Sequence, residues 1–286
     1  MTNLPPAFLS SFLQVALLSF IAAPLGVFLL LRRMSLVGDA IAHAILPGSA
    51  IAYLLFGFSF TAMMVGGMLT GLIVALLSYL VSRYTHITED ASLASFYIIS
   101  LCLGVIIMAG KGAGNDELLH ILFGSMETIK PFGLWFLFLV SAIGLLVLAI
   151  IYRPLVILSF DRSFLMAAAA NGARLRWLVE GTFMVVLVMV MVACFFVIGT
   201  LLAVGMMILP AITARYWSRQ IDALVAVALL MALLAGFVGL VVGYHFHLPL
   251  GPSVVMSNGV LYLLSVMFGR RGSLLSNWKH RRHLVE

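Results

Sequence analysis

Apolar residues run through this chain in long blocks, and the positions that break them are short stretches where arginine, glycine and proline collect. A helix needs about 20 apolar residues to cross roughly 30 Å of hydrocarbon. Blocks near residues 7–31, 35–56, 60–82, 91–109, 132–152, 178–197, 200–216, 222–245 and 251–268 reach or approach that length. They predict an all-α, polytopic membrane protein with about nine transmembrane helices. The seventh block is short and is interrupted by Pro210, which brackets the count at about eight to ten. Residues 1–269 then form one membrane domain with a cytoplasmic segment at 153–177, and residues 270–286 form a basic tail.

The charged positions orient these blocks. One set of connections carries Arg32 and Arg33, then Arg83, then Arg153, Arg162, Arg174 and Arg176, then Arg215 and Arg219. The tail adds Arg270, Arg271, Lys279, Arg281 and Arg282 on the same side. The opposite connections, around 56–60, 198–200 and 245–250, are nearly uncharged. Basic residues stay in the cytoplasm, so the C-terminus is expected inside and the N-terminus outside. The stretch from Lys111 to Lys130 lies on the outer side, but its charges nearly cancel. Within it, Leu118 to Gly124 is too short to span and reads as a short helix in or against the outer surface. His120 there has two readings, contact with an incoming ion or an ordinary wetted polar group.

Composition removes most other classes. The chain of 286 residues is 64% hydrophobic and 9% charged, with a mean hydropathy of +1.20. A soluble domain carries about 25% charged residues, so no water-facing surface could be built from this sequence. The net charge of +6 therefore reads as anchoring at the cytoplasmic lipid surface and not as nucleic-acid binding. The first block has no basic stretch before it and no small-residue cleavage site after it, and is expected to be a retained span. Cys102 and Cys194 lie in apolar runs without paired spacing and are expected to be small core residues. Gly67 and Gly71, and Gly239 and Gly243, have the small-residue spacing that brings membrane helices close. No phosphate-binding G-x-x-x-x-G-K-[ST] loop, H-E-x-x-H run or G-x-S-x-G elbow occurs, so no hydrolase chemistry resides in this chain by those routes.

Two polar residues stand inside the second block. Asp39 and His43 share a helical face, although a carboxylate near the bilayer centre costs about 2.5–3.5 kcal/mol on insertion scales. Pro47 has no N–H for the His43 carbonyl and tends to kink the helix there. Entering from Arg32 and Arg33, the helix would place Asp39 about 6–9 Å and His43 about 12–15 Å into the membrane. Carboxylate, imidazole and a freed carbonyl suit a divalent cation such as manganese or zinc. Hydrogen bonding to neighbouring helices is the alternative. The segment from Arg153 to Trp177 contains Asp161 as a helix N-cap, an alanine run and a stop at Asn171–Gly172. It reads either as a docking helix for a soluble partner or as a plain connector. With no large soluble domain, transport leads, and an ion-coupled transporter or channel using Asp39 and His43 as a proton relay is the rival.

Several segments carry a family resemblance. MSLVGDAIAHAILPGSA, TEDASLASFYIISLCLGV, ELLHILFG, IYRPLVILSFDRSFLMAAAANGA, GTLLAVGMMILPAITARYW and LPLGPSVV with GVLYLLSVMFG resemble the membrane subunits of ABC importers for manganese, zinc and related metals. They lie in the family's order along nearly the whole chain. The resemblance implies the ABC importer permease fold in a bacterial cytoplasmic membrane. It also implies a second permease copy, identical or a sister chain, and cytoplasmic ABC ATPase subunits that use the ATP. An extracytoplasmic metal-binding protein would deliver the ion. Manganese, zinc or iron would be cargo, with no permanently bound cofactor and no enzymatic activity in this chain. Asp39 and His43 become the transport site; apart from the resemblance, His245 and His247 in the charge-free outer loop, like His120, have two readings, help in accepting the ion or an ordinary solvated loop. Asp161 to Gly172 corresponds to the family's coupling helix, with Asp161, Arg162, Phe164, Ala168 and Gly172 facing the ATPase. The chain departs there from the proline and charged residues common in the family, having Arg162 and four alanines.

The arginine asymmetry makes a direct prediction. A reporter fused at Glu286 is expected to be active only if it works in the cytoplasm, and activity of a reporter that requires the outer compartment would overturn the orientation.

Overall fold

A computed structural model describes residues 6–57, 59–109, 131–160, 172–271 and 273. It consists of helices α1 (Pro6–Leu31), α2 (Val37–Ala44), α3 (Leu46–Phe56), α4 (Phe60–Tyr84), α5 (Glu89–Ala109), α6 (Pro131–Phe160), α7 (Gly172–Val197), α8 (Thr200–Arg215), α9 (Ile221–Phe246) and α10 (Leu250–Phe268). There is no strand among the described residues. With α2 and α3 taken as one broken span, eight of these are long and apolar enough to cross a membrane, and α8 is a shorter apolar helix. The all-α polytopic architecture expected from the apolar blocks is therefore present. It follows from the one way a chain of this composition satisfies its backbone in lipid, by pairing each N–H and C=O within its own helix.

Two helices form the inside of the bundle. In α1, Val15, Leu18, Ile21, Leu25 and Phe28 are buried at helical spacing, and in α7 so are Phe183, Leu187, Val190 and Cys194. Each lies among neighbours: α1 against α6, α8 and α9, and α7 against α4 and α6. The outer helices keep large apolar side chains on their free faces, among them Leu69 and Ile73 of α4, Ile106 of α5 and Leu146 of α6. Lipid, as apolar as these side chains, gives no reason to bury them. Cys194 is buried as expected, but Cys102 is exposed on α5. An apolar run does not distinguish a core position from a lipid-facing one.

Several boundaries differ from the sequence pattern. α6 continues through Arg153 and Pro154 to Phe160, and α7 begins at Gly172. Gly172 thus opens a helix where the sequence suggested the end of one. The remaining connection is 161–171, so Asp161, Arg162, Phe164 and Ala168 lie outside the described residues, as does His120 within 110–130. Pro210 does not interrupt α8, which runs through it as one element. A proline inside a membrane helix removes one donor, and adjacent groups or small local adjustments can meet the loss.

Close backbone approaches occur at glycines. A Cβ on Gly48 would fall on the Gly66 carbonyl oxygen, and one on Gly66 would fall on that of Gly48. This mutual contact joins α3 to α4. Gly239 likewise admits the Val254 backbone of α10, whereas Gly67 and Gly71 accommodate side chains of Ile45 and Val188. Replacing Gly66 with valine is expected to force the helices apart and destabilise the protein by about 1–3 kcal/mol, the usual range for overpacking. A lowered unfolding temperature of the purified protein in detergent would show it, and an unchanged one would refute the tight contact.

Candidate functional site

The second span is broken where the sequence suggested. α2 stops at Ala44, Ile45 lies between, and α3 starts at Leu46 with Pro47 in its first turn. Proline fits a first helical turn because its missing N–H is not needed there, but it leaves the preceding helix a donor short. Hydroxyls of neighbouring helices reach two carbonyls at the junction, that of Ile45 also accepting from the Ser49 N–H. The Ser100 hydroxyl of α5 donates to the Ala44 carbonyl at 3.0 Å, and the Thr70 hydroxyl of α4 reaches the Ile45 carbonyl at 3.4 Å. Ser49 turns back to donate to Leu46 at 2.9 Å. Gly104 of α5 allows close packing against Leu46 and Pro47. Small and hydroxyl side chains on two adjoining helices thus embed the break.

Asp39 and His43 sit on α2 just before this break, one helical turn apart. His43 Nε2 lies 3.7 Å from Asp39 Oδ1, and the two side chains are 30% and 52% exposed respectively. That separation is too long for a hydrogen bond, yet within the ~4 Å by which two ligands of one ion with bonds of about 2.0–2.2 Å can be separated. The imidazole is stacked on the Tyr97 ring of α5, with centroids 6.0 Å apart and planes 28° from parallel. Its Nδ1 is buried without a hydrogen-bond partner. The stack and the packing around Nδ1 turn Nε2 toward Asp39. Chemically, the site presents an anionic oxygen and a nitrogen lone pair on one accessible face, both suited to a borderline divalent metal. Among the described residues no group of three or more His, Cys, Asp and Glu side chains could hold a metal ion. Asp39 and His43 thus stand as a two-residue group among the described residues.

The remaining histidine expectations fare differently. His245 lies in the last turn of α9, and His247 caps that helix in the left-handed region with φ 54°. Both are exposed, and neither joins Asp39 and His43 in a cluster.

The structure also reveals a polar centre that the sequence reading passed over. Glu180 of α7 is only 3% exposed and accepts from Arg32 Nη2 at 3.5 Å and Arg176 Nε at 3.3 Å. The Tyr79 hydroxyl of α4 reaches its other oxygen at 3.4 Å. Arg32, also 3% exposed, lies over the Phe183 ring with its guanidinium carbon 5.3 Å from the centroid. Read in sequence, Arg32 is a loop charge at the membrane surface. The available signal was Glu180 itself, an acid inside an apolar block four residues after Arg176, which is the spacing of a helical ion pair.

Comparison with known proteins is consistent along the whole chain. Residues 6–269 match the ABC 3 transport family. The manganese import system permease protein ScaB of Streptococcus parasanguinis is 32% identical over 259 residues, 89% of each chain. The zinc transport system membrane protein TroC of Treponema pallidum is 31% identical over 265 residues, covering 90% of this chain and 87% of that one. Among solved structures, PsaBC from Streptococcus pneumoniae in complex with Fab superposes with a TM-score of 0.78 at 28% identity, covering 94% of both chains. The chain belongs to the ABC 3 transport family, as a multi-pass membrane transport subunit whose ATPase activity resides in a separate subunit.

Proposed function

We propose that the chain is the permease of an ATP-driven importer that moves manganese or zinc across the bacterial cytoplasmic membrane by alternating access, with Asp39 and His43 in the transport site. The observation that carries this reading is the accessible carboxylate–imidazole pair set immediately before a broken membrane helix. Transport sites commonly lie at such breaks near the midplane. The names of the relatives, manganese for one and zinc for another, support the class of cargo. Oxygen and imidazole ligands accept either ion, so delivery and availability choose between them more than the affinity order does.

The incomplete ligand set points to a second permease copy. A carboxylate half exposed on an apolar span is costly toward lipid, and a second α2 segment facing it across a dimer axis would both cover it and double the ligands. Cytoplasmic ATPase subunits would act on the segment from Asp161 to Gly172, and an extracytoplasmic binding protein would hand over the ion near the exposed His245 and His247. The C-terminus is placed in the cytoplasm.

In the importer reconstituted with its ATPase, Asp39→Ala or His43→Ala is expected to reduce metal uptake by at least about 100-fold, since loss of even outer-shell partners costs 10–100-fold. Asp39→Asn keeps an oxygen but not the charge, and should fail nearly as badly. Uptake at the normal rate in the assembled double alanine variant would remove the pair from the transport site. Uptake without nucleotide would instead favour the proton-relay alternative. Ala168→Glu is expected to weaken co-purification of the ATPase while the permease still inserts, and normal co-purification with normal transport would place docking elsewhere.

A further inference from the structure

The buried charges at the cytoplasmic end of the bundle do not touch Asp39 or His43, and helix packing gives no need for them. Arg32 directly follows α1, in the short connection that leads to α2 at Val37, and stands seven positions before Asp39 of α2. Glu180 stands two turns into α7, which starts at Gly172 directly after the segment that resembles the coupling helix. Their ion pair, at 3.5 Å with both side chains 3% exposed, therefore joins the helix after the ATPase-facing segment to the connection that leads into α2, the helix of Asp39 and His43. Arg176 and Tyr79 hold Glu180 from two further directions.

Arg32 also borders a cavity that a second acidic residue lines. Together with Arg33, Ser82, Thr88 and Asp90 it lines a cavity of about 350 Å³ between the α1–α2 and α4–α5 connections. In that cavity one carboxylate oxygen of Asp90, Oδ1, is buried without a hydrogen-bond partner. Arg32 is thus paired with one carboxylate and lines the same cavity as a second, one oxygen of which has no hydrogen-bond partner. Buried ion pairs contribute little net stability compared with apolar packing, and their best-attested use is to specify one arrangement over another. Bistable contacts of this kind turn small displacements into discrete changes of state.

We propose that Arg32 is the positioning residue that couples α7 to the transport site, seated on Glu180 in the arrangement seen here and on Asp90 in the alternate one. Movement of α7 draws Arg32 and the α1–α2 connection with it, and exchange between the two carboxylates allows α2 to settle in two positions. The inference rests on the transport function proposed above and adds to it the route by which the ATPase-facing side reaches Asp39.

The test uses the whole importer, permease with ATPase subunits, in proteoliposomes supplied with manganese. Glu180→Gln and Asp90→Asn each remove one seat while preserving shape. Each is expected to lower the maximal uptake rate at least tenfold, leave the half-saturating manganese concentration within twofold, and leave ATP hydrolysis running. Glu180→Asp, which keeps the charge, should restore part of the uptake. If Glu180→Gln fails to assemble, the double variant Arg32→Gln, Glu180→Gln removes both members of the buried pair, leaves only the partly exposed Arg176, and decides the question. Assembly with ATP hydrolysis but without uptake in that double variant supports coupling, and uptake at the normal maximal rate shows a structural pair and overturns it. Normal maximal uptake in Asp90→Asn, or a change confined to the half-saturating concentration in either single variant, also overturns it. An Asp39→Ala, His43→Ala control that still transports refutes the transport site instead, so failures of the two readings are separable.

Discussion

The structure depends on keeping backbone polar groups paired where no water can reach them. A continuous helix does this without help, and most spans here are continuous. α2 and α3 are not, and at their junction α5 brings Ser100 to the Ala44 carbonyl, while the Ile45 carbonyl accepts from the Ser49 N–H and is also approached by Thr70 of α4. The glycines at 48, 66 and 104 let those helices come near enough. A break left open to lipid would cost several kcal/mol for each unsatisfied group. The junction lies inside this cage, directly after α2, the helix that carries Asp39 and His43.

The same cage sets the chemistry. α5 satisfies a carbonyl with Ser100, admits the break at Gly104 and stacks Tyr97 on His43. These positions recur at three- and four-residue intervals, so one face of one helix serves both backbone and imidazole. The site is held by its neighbours, yet its ligand-bearing face stays accessible.

Charge follows a different logic. Most arginines behave as the topology requires and remain at helix ends. Arg32 does not, because Glu180, Phe183 and the adjoining polar cavity provide a desolvated seat for its guanidinium. A planar, weakly hydrated cation tolerates such a seat better than lysine would. Two polar centres, one carrying ligands and one carrying ion pairs, are thereby tied to the same short stretch of chain.

The number and order of the spans, the break near Pro47 and the pairing of Asp39 with His43 were all legible in the sequence. Each rests on local constraints: block length against bilayer thickness, a proline without an N–H, and a four-residue helical repeat. Helix ends such as Phe160 and Gly172, the outward face of Cys102, the uninterrupted course of α8 through Pro210 and the burial of Arg32 against Glu180 were decided only by tertiary structure. In an apolar chain the same composition serves core and lipid-facing positions, so hydropathy carries no signal for which face is which. The partners of a buried charge or an exposed carbonyl come from helices far away in sequence, and only packing determines which side chain arrives.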